Sequence, residues 1–347
     1  MTRYARQAIL PEVGAAGQSR LAVARVLVAG AGGLGAPALM YLAGAGVGRL
    51  VVVDPDMVER GNLHRQPLYG ETVLGRPKAE AAAARLADLN PEVAVTPRVA
   101  ALDPANAPAL VAEADVVLDC ADSFAVSYIL SDACRAAGRP LISASALGLG
   151  GYAGGFCGGA PSLRAVFPDL PEQAATCATA GVLGPVVGML GALQAQMTLA
   201  VLLGLSPSPL GQVVAYDAGR FSGFRFDGAP EPETALAFLA PGAIAPDDFV
   251  VDLRAPEEGP LAAPQALRLP VEALGPGGPT PAPGQRAVLV CRTGLRSWRA
   301  ARRLERAWAG DILLVALGDR SDDVAAGGQT DQTAPGGQTR RTTPCAC

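Results

Sequence analysis

Residues 24–35 read Ala24-Arg25-Val26-Leu27-Val28-Ala29-Gly30-Ala31-Gly32-Gly33-Leu34-Gly35, and fifteen residues on the chain reaches Leu50-Val51-Val52-Val53-Asp54. The two apolar, largely β-branched runs predict strands buried on both faces. The Gly-x-Gly-x-x-Gly turn between them lets backbone approach a phosphate at a helix N-terminus, where free N–H groups and the helix dipole favour anions. Ala36 to Ala45 reads as the helix, with Leu39 and Leu42 placed to pack inward. Strand, Gly-rich turn, helix and strand form one βαβ unit of a parallel sheet. Asp54 ends its second strand, where a carboxylate can accept hydrogen bonds from a ribose.

The alternation continues outward. Helices are expected over Lys78–Leu89, Pro104–Ala112 and Phe124–Ala137, and strands around Val93–Val99, Asp115–Cys120 and Pro140–Ala144. Such a pattern predicts an α/β domain with a doubly wound parallel sheet. Residues 150–168 read as Gly-rich and irregular, Leu183–Leu205 as a long apolar helix, and Gln212–Ala218 as a strand. Four prolines (Pro230, Pro232, Pro241, Pro246) argue against regular structure near 227–246. A smaller α/β pattern begins at Phe249-Val250-Val251-Asp252 and includes strands at Ala287–Val290 and Ile312–Val315 and a helix at Ser297–Trp308. The expected division is therefore 1–228, a Pro-rich linker at 229–246, a second domain at 247–318, and a disordered tail at 319–347 carrying Gly-Gly-Gln-Thr twice.

Composition narrows the function. The 347 residues suggest roughly two domains at ~150 residues each. A net charge of −4 argues against a general nucleic-acid binder, which needs a basic surface to displace counterions. No long apolar run lacks both charge and glycine, and the N-terminus has no signal-type apolar core, so no membrane span or export is expected. Seven scattered cysteines make a poor disulfide framework and fit a reducing cytoplasm.

The Gly-rich turn and Asp54 alone are equally the signature of a nicotinamide-dependent oxidoreductase. Further residues shift the reading. Asn62-Leu63-His64-Arg65-Gln66 begins eight residues after Asp54, Lys78 follows Gly75-Arg76-Pro77, and Asp122 lies just past the strand ending near Cys120. Two cations and an acid beside a nucleotide suit phosphate chemistry better than hydride transfer. Arg65 and Lys78 can neutralise a triphosphate, and Asp122 can hold Mg²⁺ beside it.

With Arg3-Tyr4-Ala5-Arg6-Gln7, Asp54-Pro55-Asp56, Asp119-Cys120-Ala121-Asp122-Ser123 and Thr176-Cys177-Ala178-Thr179-Ala180-Gly181-Val182, residues 3–225 resemble the ThiF/MoeB/E1-like activating enzymes. The resemblance implies ATP with Mg²⁺, and adenylation of the C-terminal glycine of a ubiquitin-like sulfur carrier protein ending in Gly-Gly. By position, Gly33 and Asp54 would touch the nucleotide, and Gly61, Asn62, Leu63, His64, Arg65 and Lys78 its phosphates. Asp122 would bind magnesium with Ser123 beside it, Arg6 would reach the γ-phosphate in the other subunit of a homodimer, and Cys177 would attack the acyl-adenylate. Many relatives hold structural zinc with two Cys-x-x-Cys pairs. The corresponding stretches here, Ser162–Ala165 and 226–233, contain no cysteine, so no such zinc is expected.

Cys291 opens Cys291-Arg292-Thr293-Gly294-Leu295-Arg296-Ser297 after a predicted strand. Successive N–H groups in such a loop form a nest around the sulfur, and Arg292, Arg296 and the helix N-terminus favour its thiolate. With Val251-Asp252-Leu253-Arg254, residues 245–318 resemble rhodanese-like sulfurtransferases, which implies a persulfide on Cys291. Adenylation and a persulfide in one chain imply thiocarboxylate formation, with a donor such as a cysteine desulfurase. A nicotinamide-dependent oxidoreductase and a non-catalytic binder of a ubiquitin-like protein are the rival readings.

Overall fold

The computed structural model describes residues 3–170, 181–233 and 235–318. Its strands are β1 (Arg25–Ala29), β2 (Arg49–Val53), β3 (Ala94–Arg98), β4 (Val116–Asp119), β5 (Pro140–Leu147), β6 (Gly150–Cys157), β7 (Gln212–Asp217), β8 (Arg220–Arg225), β9 (Ala237–Phe238), β10 (Phe249–Asp252), β11 (Leu267–Arg268), β12 (Ala287–Cys291) and β13 (Ile312–Ala316). The described helices are α1 (Ala5–Ala8), α2 (Gly14–Val23), α3 (Gly35–Ala45), α4 (Lys78–Leu89), α5 (Ala107–Ala112), α6 (Phe124–Ala137), α7 (Leu163–Val166), α8 (Gly184–Leu203) and α9 (Leu295–Leu304).

Strands β1–β8 form one sheet in the order 3-2-1-4-5-6-7-8, and the second sheet runs 11-10-12-13-9. In the first sheet β3 to β5 are parallel, as the βαβ pattern requires, while β6, β7 and β8 continue it antiparallel. The strand order reverses between β1 and β4, which opens a crevice at their carboxyl ends.

Two stretches differ from the expectation. Residues 150–157, read as irregular because they are glycine-rich, form β6, paired along its length with β5. Glycine serves close backbone approach there: a Cβ on Gly155 would lie 2.5 Å from the Pro209 carbonyl oxygen. Within 229–246, Ala237–Phe238 adds to the edge of the second sheet beside β13, despite the prolines around it. Backbone pairing with an existing edge outweighs weak local propensity over so short a strand.

Helix α8 is long and apolar enough to cross a membrane by length and composition, and 56% of its apolar window is buried in the fold. It packs across α3, β5 and β6, and buries Gln194 and Thr198 with partners satisfied inside the protein, as a core helix does.

The two sheets share one hydrophobic core across a seam. Tyr128 of α6 meets Trp298 of α9 with ring centroids 5.6 Å apart. The buried Arg164 guanidinium stacks 4.6 Å from the Tyr128 ring, is gripped by both carboxylate oxygens of Asp132, and donates to the Leu236 carbonyl. Arg302 also stacks on Trp298, at 5.3 Å, and pairs with Asp169.

Candidate functional site

The Gly-rich turn sits at the switch point. Gly30 adopts φ +95°, and a Cβ there would lie 2.6 Å from the Cys120 carbonyl oxygen; one on Gly35 would lie 2.0 Å from the Gly30 carbonyl. Glycine is therefore required at both positions, by handedness in one case and contact in both. Gly33 faces Val187 and the aliphatic stem of Arg65, whereas Gly32 meets nothing closer than the Gln66 amide nitrogen, 3.6 Å from where its Cβ would be.

Asp54, at the carboxyl end of β2, is buried. One oxygen accepts from the Ala31 N–H at 2.7 Å and the other from the Asp56 N–H at 2.8 Å. Burial raises its pKa, and the nearby Lys78 charge opposes the shift. Lys78 opens α4 with its stem buried, and its ammonium lies 2.8 Å from the Asp56 carboxylate. Tyr69 ties these parts together: its hydroxyl lies 2.8 Å from the Ala31 carbonyl and 3.2 Å from that of Lys78.

Arg65 lies over Gly33, and its guanidinium donates to the Gly61 carbonyl and contacts the exposed His64 ring at 2.9 Å. The Asn62 side chain accepts from the Glu59 N–H, capping the short turn that presents Arg65, and Leu63 packs onto the core. Asp122 is exposed just beyond β4, and Ser123 stands at the position preceding α6 without a capping hydrogen bond from its side chain.

The structure thus gathers Gly33, Asp54, Gly61–Arg65, Lys78, Asp122 and Ser123 around the carboxyl ends of β1, β2 and β4. It does not bring Arg6 there. Helix α1 docks at the far end of α3, where Gln7 donates to the Ala45 carbonyl. Arg6 is exposed about 16 Å along that eleven-residue helix from the Gly-rich turn. Cys177, Cys345 and Cys347 lie outside the described residues.

Three supporting groups carry weight that the motif reading did not assign. Asp119, fully buried, accepts from the Ser143 hydroxyl at 2.7 Å and the Ala121 N–H at 3.2 Å, and burial pushes its carboxyl up to about 6. Gln194 donates to the Asp119 carbonyl at 2.7 Å and so pins the end of β4. The sequence signal was a Gln194-x-Gln196 pair in an apolar helix, of which only Gln194 is buried. Gln66 is buried beside Gly32, and its Oε1 has no hydrogen-bond partner among the described residues.

These features fit a nucleoside triphosphate: an open face at Gly32 and two cations suit the phosphates, and the unsatisfied Gln66 amide oxygen can accept from a hydroxyl or amino group of the nucleoside. They also fit Mg²⁺, which keeps most of its waters and needs only one or two carboxylates plus phosphate oxygens. Asp122 is the exposed carboxylate suited to it.

The two cysteine-free stretches, Ser162–Ala165 and 226–233, are joined through hydrogen bonds to a carboxylate. Both the N–H and hydroxyl of Ser162 donate to Glu231, at 2.7 and 2.6 Å, and Arg164 pairs with Asp132.

The second cluster surrounds Cys291 at the end of β12. Its sulfur is fully buried at the base of the loop, accepting from the Gly294 N–H at 3.1 Å and the Ser297 N–H at 3.4 Å, with the Ser297 hydroxyl 3.5 Å away. Gly294 adopts φ +88°, and a Cβ on it would meet Phe238 at 2.9 Å and Ala125 at 3.2 Å. The loop therefore abuts the first turn of α6, three residues beyond Asp122. Arg296 makes a two-pronged pair with Glu258 and donates to the Leu253 carbonyl, and its charge also acts on the Cys291 sulfur, as expected.

The ThiF family model matches residues 4–235, which contain the Gly-rich turn, Asp54, Arg65, Lys78 and Asp122. The chain belongs to the ThiF family. Among similar ThiF-type proteins is the bovine (Bos taurus) adenylyltransferase and sulfurtransferase MOCS3, 52% identical over 221 residues, covering 63% of this chain and 49% of that protein. The SAMP-activating enzyme E1 of Haloferax volcanii is 46% identical over 220 residues, covering 63% of this chain and 82% of that one. The chain spans about half the length of the MOCS3 proteins it matches. The structure of E. coli MccB with ATP superposes with a TM-score of 0.56 at 23% identity, covering 65% of this chain and 72% of that one, and it bears on the fold alone.

Proposed function

We propose that the chain adenylates the C-terminal glycine of a ubiquitin-like sulfur carrier and converts it to a thiocarboxylate with sulfur held on Cys291. The observation carrying this reading is the pairing, in one ThiF-family chain, of a phosphate-ready crevice with a thiol nested by the N–H groups of Gly294 and Ser297. The carrier carboxylate attacks the α-phosphorus of ATP in line, and pyrophosphate leaves. Arg65 and Lys78 neutralise the departing charge, and the backbone at Gly32 and Gly33 aligns the chain of phosphates. Mg²⁺ held at Asp122 would supply further charge neutralisation. The terminal sulfur of a Cys291 persulfide then displaces AMP to give an acyl disulfide. A thiolate, for which Cys177 is the candidate, attacks the Cys291 sulfur, so that the S–S bond breaks and the thiocarboxylate leaves with the electron pair. A disulfide to Cys291 remains, to be reduced by an external thiol before the next turnover.

A homodimer is supported by Arg6, which is exposed yet remote from its own crevice, so that only a second copy could bring such an arginine to the γ-phosphate. A cysteine desulfurase is the fitting class of donor, the cytoplasm the fitting compartment, and molybdopterin, thiamine and thiolated tRNA the fitting products.

Carrier-dependent exchange of labelled pyrophosphate into ATP tests the first half. Cys291→Ala is expected to abolish sulfur transfer while sparing exchange. Exchange that is absent with every Gly-Gly-ended carrier of the host, or sulfur transfer retained by the variant, overturns the corresponding half.

A further inference from the structure

We propose that Glu258 is a specificity-determining residue that makes the Cys291 loop reject oxyanionic sulfur donors and accept persulfides. The proposal rests on the reading of Cys291 as a sulfur carrier and names the class of donor it takes.

The loop has the makings of an anion receptor: N–H groups converging on the sulfur, the start of α9, and Arg292 and Arg296. Such a receptor would hold thiosulfate, a dianion, as readily as a persulfide. Glu258 alters that balance. It reaches across from the short turn Pro256–Glu258 and takes both terminal nitrogens of Arg296, at 2.6 and 2.5 Å. The Leu253 carbonyl takes Arg296 as well, so the guanidinium is committed to protein partners on the β10 side. Glu258 is itself fixed by the Ala255 N–H at 2.9 Å. The hydrogen bonds from Arg296, with the Ala255 N–H and the charges of Arg296 and Arg292 adding to them, hold its carboxyl down, to about 2, so it stays ionised at any working pH.

The consequence follows from charge. Loading from thiosulfate requires the Cys291 thiolate to attack the outer sulfur, forming one S–S bond as another breaks and sulfite leaves with the electron pair. Two negative charges must enter a loop in which Glu258 already neutralises Arg296, leaving a carboxylate on the rim beside Arg292. Loading from an alkyl persulfide forms and breaks the same kinds of bond, with a single thiolate leaving. It attaches no oxyanion to the transferred sulfur and needs only the N–H nest there.

The test compares wild type, Glu258→Gln and Glu258→Asp as full-length protein, with thiosulfate or cysteine persulfide as donor and cyanide as acceptor. Glu258→Gln is expected to lower the KM for thiosulfate about tenfold at low salt, with kcat and the KM for cysteine persulfide changed less than about twofold. High salt should erase the difference, and Glu258→Asp should restore the wild-type preference. Binding of inorganic phosphate, measured by calorimetry, should tighten in parallel in Glu258→Gln. An unchanged thiosulfate KM, or KM values for both donors that rise together, overturns the proposal. If wild-type Cys291 gains no sulfur from either donor by mass spectrometry, the sulfur-carrier reading fails, and the phosphate titration still decides whether Glu258 suppresses anion binding.

Discussion

Asp119→Asn should flatten the dependence of stability on pH. In the wild type the Asp119 carboxyl is fully buried under the crevice and raised to about 6, against an ordinary 3.8, with burial the main cause and the nearby hydroxyls of Ser127 and Ser143 and the Ala121 N–H opposing it. Between those two values the folded chain binds more protons at this site than the unfolded chain does, so stability falls as pH rises through that window. The span amounts to about 3 kcal/mol, present in full below pH 4 and lost above pH 6. Asparagine is nearly isosteric and cannot ionise. It rearranges the two hydrogen bonds at a fixed cost, which shifts the whole curve without changing its shape. The assay is urea unfolding followed by far-ultraviolet circular dichroism at several pH values from 4 to 8. Circular dichroism is preferred because Trp298 and Trp308, the two tryptophans, both belong to the second domain. The difference between variant and wild type should change by about 3 kcal/mol in favour of the variant across that range. A difference that stays constant from pH 4 to 8 would refute the account of Asp119 as a strained, burial-shifted acid.

Lys78→Gln removes a cation whose partner, Asp56, is more than half exposed and is readily solvated when left alone. The protein should remain folded while carrier-dependent pyrophosphate exchange falls about a hundredfold or more, and a loss under threefold would remove Lys78 from the phosphate site. Trp298→Ala takes away the ring that Tyr128 meets and over which Arg302 stacks. It should cost about 3–5 kcal/mol and expose residues 229–246 to limited proteolysis, whereas cleavage at the wild-type rate would mean that the seam is held elsewhere.

Much of the first domain was legible because its signals are local. Buried parallel strands such as Leu50–Val53 are continuous apolar runs, and the Gly30–Gly35 turn and Asp54 have fixed places relative to them. The α4 and α6 boundaries fall where periodicity puts them, at Lys78–Leu89 and Phe124–Ala137. Antiparallel β6 was hidden because its glycines answer to neighbouring backbone rather than to local preference, and β8 because its residues are all exposed and lack a buried face. The Cys291 loop was legible as a motif, and its N–H nest formed as read. The Arg296–Glu258 pair was not, since it joins residues 38 apart in sequence and depends on the turn after β10. The Gln194 clamp on β4 likewise spans 75 residues and exists only once α8 lies across the sheet.

Strand β9 has a consequence for anyone who would isolate the second domain. A fragment cut at residue 247, where the second hydrophobic pattern begins, forfeits Phe238 and the bond from the Leu239 N–H to the Leu314 carbonyl, and leaves β13 with a bare flank. Such a flank is a template for strand addition by another molecule, so the fragment would tend to self-associate. A cut upstream of Leu236 keeps the sheet capped, and solubility of the two fragments, compared side by side, would report on this short strand directly.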